Sequence, residues 1–95
     1  MKVNKEFVLR EIVGDYIIIP VGETVLEFKG LITVNEIGVL IWKMLQNEIT
    51  LDQIVQNILD EYDVEESVAR EDVREFLDTL IARGILTEDQ ENGEE

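Results

Sequence analysis

The first third of the chain alternates between apolar and polar positions with the period of a β-strand. Phe7-Val8-Leu9-Arg10-Glu11-Ile12-Val13 alternates in part, and Gly14-Asp15 follows as a two-residue hairpin turn. Tyr16-Ile17-Ile18-Ile19-Pro20-Val21 is β-branched and closed by Gly22. Pro20 lacks an N–H, so the end of this strand is expected to pair incompletely. Thr24-Val25-Leu26-Glu27-Phe28-Lys29 alternates cleanly, with Leu26 and Phe28 on one face and Val25, Glu27 and Lys29 on the other. Gly30 ends it. These segments predict a three-stranded antiparallel meander within residues 6–30.

Beyond Gly30 the apolar period lengthens to that of a helix, and each segment opens on a start signal. Thr33-Val34-Asn35-Glu36 has the form of a capping box, Thr50-Leu51-Asp52-Gln53 repeats it, and Asp63-Val64-Glu65-Glu66 is its aspartate version. The predicted helices cover 34–47, 51–62 and 64–83. The first presents Val34, Ile37, Gly38, Ile41, Met44 and Leu45, widened by Leu40 and Trp42, and Trp42 reads as a core residue. Gly38 in its middle implies a close approach by another backbone. The second presents Leu51, Ile54, Val55, Ile58, Leu59 and Tyr62, and the third Ala69, Val73, Phe76, Leu77, Leu80 and Ile81. Gly84 supplies a left-handed residue to close the third helix, with Ile85 packing back and Ile85-Leu86 forming a short extra strand. The fold class is therefore α+β and winged helix-turn-helix-like: an N-terminal three-stranded antiparallel sheet followed by three helices. A single domain over 1–87 is expected, with 88–95 a disordered acidic tail.

Composition narrows the chemistry. The 95 residues include no cysteine and no histidine, which removes disulfides, thiolate nucleophiles, the commonest general base and the commonest zinc ligand. Ser67 is the only serine and has no histidine to activate it, and no glycine-rich phosphate loop occurs. The carboxylates Asp60, Glu61 and Asp63 lack the glycine-turn spacing of a calcium loop and read as solvated surface. The chain reads as a non-enzyme with no cofactor and no metal. The N-terminus carries no apolar signal segment and no run approaches a membrane span, so a cytoplasmic location is expected.

Charge is distributed unevenly. Residues 1–45 carry five basic and six acidic side chains, whereas 46–95 carry three basic and sixteen acidic, within a total of −14. The third helix, where a winged helix would read DNA, has Glu65, Glu66, Glu71, Asp72, Glu75 and Asp78 against Arg70, Arg74 and Arg83. Such a surface repels phosphate backbones and anionic lipid heads, so neither nucleic acid nor membrane is an expected partner.

The run Val34-Asn35-Glu36-Ile37-Gly38-Val39-Leu40-Ile41-Trp42-Lys43-Met44-Leu45 resembles the pattern LNxxGxxIWxLL of the PqqD family. The resemblance continues through Thr50, Ile54-Val55, Leu59, Glu61-Tyr62-Asp63, Asp72-Val73, Phe76-Leu77 and Leu80, and closes on Gly84-Ile85-Leu86. It spans about residues 5–87. Val34 departs from the usual leucine, Ile37 from a frequent threonine, and Gln46-Asn47-Glu48 stands where many members have Asp-Gly, a change confined to a turn.

The resemblance implies a peptide chaperone, or RiPP recognition element. Such domains bind the leader segment of a ribosomally made precursor peptide and present it to a modifying enzyme, often of the radical SAM type; the family name comes from coenzyme PQQ biosynthesis. It further implies that the leader adds as a strand to the third strand and lies against the third helix. The positions that match are Val25, Leu26, Glu27, Phe28 and Lys29 on the strand and Arg70, Val73, Arg74 and Leu77 on the helix. Arg70 and Arg74 border the apolar arc, where they read either as a groove lip for an acidic leader residue or as i,i+4 pairs with Glu66 and Asp78. The alternative to a leader binder is a winged-helix protein–protein adaptor or regulator, and a monomer or weak homodimer fits both. For either, the acidic third helix predicts no gel shift of duplex DNA at physiological salt; micromolar, salt-sensitive binding would contradict it.

Overall fold

A computed structural model of the chain describes residues 1–22 and 32–87. Strand β1 (Lys2–Val3) leads into a hairpin of β2 (Phe7–Ile12) and β3 (Asp15–Pro20). Strand β4 (Ile32–Val34) runs into helix α1 (Glu36–Met44), followed by α2 (Leu51–Glu61), α3 (Glu66–Ala82) and β5 (Leu86–Thr87). The antiparallel order β2-β3-β4 makes the three-stranded sheet, and β1 pairs with β5 in a second small one. Among the described residues the fold is thus a three-stranded sheet followed by three helices, as the hydrophobic pattern predicts.

The hairpin turn lies one residue earlier than expected. Ile12 faces Asp15, so the loop is Val13-Gly14 and not Gly14-Asp15. Both loop residues have positive φ, 49° and 85°, as the hairpin-favouring primed turn requires. The third strand of the sheet is also placed differently. Thr24–Lys29 lies outside the described residues, and the strand that pairs with β3 is Ile32–Val34, beyond Gly30. Its described pairing runs from Tyr16 with Val34 to Ile18 with Ile32. The missing Pro20 N–H faces the β4 side, so the ladder loses a donor there.

That strand displaces the expected start of α1. Thr33 and Val34 are extended partners of Ile17 and Tyr16, so the cap falls to Asn35 and Thr33 does not cap. Helix α2 keeps its predicted box: Gln53 N–H donates to Thr50 Oγ1 at 3.2 Å and Thr50 N–H to Gln53 Oε1 at 3.0 Å. The Asp63 box does not form. Val64 N–H turns back to the Tyr62 carbonyl at 3.1 Å, and α3 starts behind Glu65 without a side-chain cap. Helix α3 ends as predicted at Gly84, φ 76°. Gly84 N–H reaches the Ile81 carbonyl at 3.0 Å and Ile85 N–H the Leu80 carbonyl at 2.9 Å, the Schellman pattern.

One core joins the layers. Ile18, Ile32 and Val34 from the sheet meet Ile41, Trp42 and Leu45 from the α1 segment, Ile54, Val55 and Ile58 from α2, and Ala69, Val73, Leu77 and Leu80 from α3. Ile85 and Leu86 complete it, and β1 ties onto them, with Asn4 N–H donating to the Ile85 carbonyl at 2.7 Å. No polar or charged side chain is buried among the described residues. Hydrophobic burial therefore supplies the stability and the helix caps add to it.

Val13 is β-branched, almost fully exposed and held in the left-handed region, where such residues cost about 1–2 kcal/mol. Val13→Asn keeps Gly14 and offers the residue that primed turns prefer. It is expected to raise stability by about 1 kcal/mol in urea unfolding with an unchanged slope; a lowered midpoint would show that Val13 makes a contact that its exposure conceals.

Candidate functional site

The strand–helix junction leaves the outer side of β4 open among the described residues, at the opposite edge of the sheet from β2. A two-residue hairpin loop is flanked by a hydrogen-bonded pair, here Ile12 and Asp15. Bonded and non-bonded pairs then alternate, so Tyr16 and Ile18 direct their backbone groups toward Val34 and Ile32. Thr33, the non-bonded partner of Ile17, points its N–H and C=O away from β3. No described strand lies on that side.

Beside this edge is a groove of about 380 Å³ between β4, the first turns of α1 and one flank of α3. Ile32, Gly38 and Ile41 form its closed floor, and half-buried Ile37 and Phe76 its apolar walls. Thr33, Asn35, Asp72, Glu75 and Thr79 line the exposed rim. On α3 the lining residues 72, 75, 76 and 79 follow helical spacing and share one flank.

The sequence between strand and helix sets this shape. Asn35 is extended (φ −88°, ψ −176°), and its Oδ1 accepts the Gly38 N–H at 2.8 Å. A Cβ on Gly38 would stand 3.1 Å from Val34 Cβ, 3.3 Å from Asn35 Oδ1 and 3.4 Å from Phe76 Cε1. Gly38 therefore accommodates the cap on one side and the Phe76 ring on the other. The sequence predicts a close approach by another backbone there; all three neighbours are side-chain atoms.

The structure separates the residues that the sequence suggests for the helix part of the site. Val73 and Leu77 are fully enclosed in the core. Arg70 binds Asp52 of α2 at 2.7 Å and Glu66 at 3.0 Å, and Arg74 lies 3.6 Å from Asp78. Asp52 first, and then Glu66, raises the pKa of the Arg70 guanidinium above its ordinary value by accepting its hydrogen bonds. The expected i,i+4 pairs are both present. At about 100° per residue, the arginines border the core-facing stripe on one side and the groove residues border it on the other. The lip of this groove is made by Asp72 and Glu75. Val25, Leu26, Glu27, Phe28 and Lys29 lie outside the described residues.

Phe76 is the groove residue that the sequence groups with the core, and only its half-burial separates it from Leu77. Its spacing from Asp72 and Thr79 was the available signal. Among the described residues no cluster of three carboxylates could hold a metal, and no helix is long and apolar enough to cross a membrane.

A family model described as "Coenzyme PQQ synthesis protein D (PqqD)" matches residues 22–86. No curated protein sequence matches the chain. Among solved structures, the chain is similar to one described as "TbiB1 in Complex with the TbiA(beta) Leader Peptide". The TM-score is 0.73 at 24% identity, over 94% of this chain and 100% of that one. At this identity the likeness establishes the fold.

Gly38→Ala tests the groove floor. Alanine gains about 1 kcal/mol of helix propensity, but crowding three fixed neighbours costs about 1–3 kcal/mol. The variant is expected to unfold at lower urea than the parent, and a gain in stability would mean that the floor is more loosely packed than described.

Proposed function

The chain belongs to the PqqD family, and from that premise we propose that it is a peptide chaperone for a ribosomally made precursor. It takes the leader segment as an added strand and presents the remainder to a modifying enzyme. A radical SAM enzyme is the proposed recipient. The pathway in the family's description, coenzyme PQQ synthesis, is the first in which to seek it.

The observation that carries this reading is the outward-facing backbone of Thr33 beside a groove with an apolar floor. An extended peptide placed there pairs its backbone with β4 and turns alternate side chains toward Ile37, Ile41 and Phe76. Val25 to Lys29 are proposed to continue the pairing edge. The backbone bonds supply affinity that depends little on sequence, and the groove supplies discrimination. None of these steps needs an acid, base or nucleophile. The likeness in fold to TbiB1, whose structure is described as a complex with a leader peptide, supports the same reading.

The test uses a short peptide encoded beside this gene, titrated against isotopically labelled protein. The Thr33 amide exchanges rapidly in the free chain and becomes protected on binding. Chemical-shift changes gather on Thr33, Gly38 and Phe76, and Phe76→Ala weakens binding by about tenfold or more. Shifts confined to α2 would remove the groove from the mechanism. A β4 already paired with a second copy of the chain, together with no peptide binding, would favour an adaptor instead.

A further inference from the structure

Helix α3 treats its two flanks differently. On the flank away from the groove its carboxylates are compensated: Glu66 pairs with Arg70 and Asp78 with Arg74, and Arg70 also neutralises Asp52. On the groove flank, Asp72 and Glu75 stand one turn apart, both exposed, with no cationic partner among the described residues. Among the described residues no lysine or arginine lines the groove. The two carboxylates thus repel each other across a concave, partly apolar surface, where the local field is stronger than over open water.

We infer that the leader segment accepted by this groove is cationic, carrying a lysine or arginine two positions from an apolar residue. This rests on the leader-binding reading above and specifies its ligand. An added strand repeats its inward-facing side chains about every 6.8 Å, and successive turns of α3 lie about 5.4 Å apart. An inward apolar residue that fills the space between Ile41 and Phe76 therefore brings the next inward residue beside Asp72 and Glu75. A lysine or arginine there relieves the repulsion between the two carboxylates and extends its methylenes over the apolar wall. A glutamate would add a third negative charge to the same rim. The net charge of −14 acts in the same direction at long range, drawing a cationic peptide in and repelling an acidic one. Arg70 and Arg74 would favour an acidic leader, but Arg70 is committed to Asp52 and Glu66, and Arg74 stands beside Asp78 on the far flank; Arg83, at the C-cap one turn beyond Thr79, is not among the residues that line the groove.

The test is a panel of three fluorescein-labelled, threonine-rich extended peptides, each with one central leucine. They differ only in having Lys, Gln or Glu two positions to either side of it. Fluorescence anisotropy against the full chain is expected to rank them Lys, then Gln, then Glu, with about tenfold between the extremes and a narrower gap as salt is added. In the doubly substituted Asp72→Lys, Glu75→Lys protein, which keeps its fold because both sites are exposed, the order inverts. Equal affinity for all three peptides with a perturbed Thr33 amide overturns the charge inference and leaves the leader reading standing. Preference for the glutamate peptide overturns it as well. No binding by any of the three removes the leader reading and this inference with it.

Discussion

The hydrogen bond from Gly38 N–H to Asn35 Oδ1 stands at the point on which the site depends. From Ile32 to Val34 the chain is a strand whose outer edge has no partner among the described residues; from Glu36 it is a helix directed into the core. Asn35 makes that change in one residue by remaining extended while its side chain satisfies a first-turn amide. The abruptness keeps Thr33 close to α1. The absence of a side chain at Gly38 then lets the Phe76 ring and Val34 approach the same helix turn. A longer connection would separate the pairing edge from the apolar floor, and a bulkier residue at 38 would push α3 away from it.

The second determinant is the distribution of charge around α3. A helix with this many carboxylates would repel itself if they were spread uniformly. Here Arg70 and Arg74 compensate one flank, and Arg70 also joins it to Asp52 of α2, leaving Asp72 and Glu75 uncompensated beside the groove. Exposed ion pairs contribute little stability, a few tenths of a kcal/mol at most for i,i+4 pairs. Their effect is on the surface potential: they hold Arg70 and Arg74 on the flank of α3 away from the groove. The enclosed residues Val73, Leu77 and Leu80 lie between the two flanks, so the helix is anchored by apolar contacts independent of either.

Much of the architecture was legible in local patterns. The Thr50–Gln53 box and the Gly84-Ile85 closure were readable because each is decided by a few adjacent residues. The β2–β3 hairpin was readable from its β-branched runs, but its turn was misplaced because a valine at positive φ is not a turn signal. The start of α1 was misread for a related reason. Thr33-Val34-Asn35-Glu36 satisfies the capping rule locally, yet pairing with Tyr16 and Ile17 claims the first two residues for the sheet. Tertiary pairing overrode a valid local signal. The flank of α3 that faces β4 was less legible still. Apolar periodicity locates the stripe that is buried but does not say which border of it meets the sheet edge. Arg70 and Arg74 therefore drew attention by being rare cations, whereas Phe76, Asp72 and Glu75 looked like one core residue and two ordinary surface acids.

That ambiguity follows from how the proposed strand addition divides its work. The backbone of an added strand bonds to β4 whatever its side chains are, so the edge at Thr33 contributes affinity without selection. Selection must come from side chains around the edge, and in this groove those are apolar groups, the neutral Asn35 and Thr79, and the carboxylates of Asp72 and Glu75. Apolar contacts alone discriminate weakly, since one methylene more or less changes binding by about 1 kcal/mol. A pair of carboxylates beside the apolar floor adds the sharper term, because a like charge brought to the rim is penalised where an opposite one is attracted. The same pair costs the free protein little, for both groups stay hydrated at the rim until a peptide arrives. Placing the charge at the border of the groove and only apolar atoms on its floor thus keeps the empty site soluble and free of buried polar groups. The discrimination is expressed only when a strand is seated against β4.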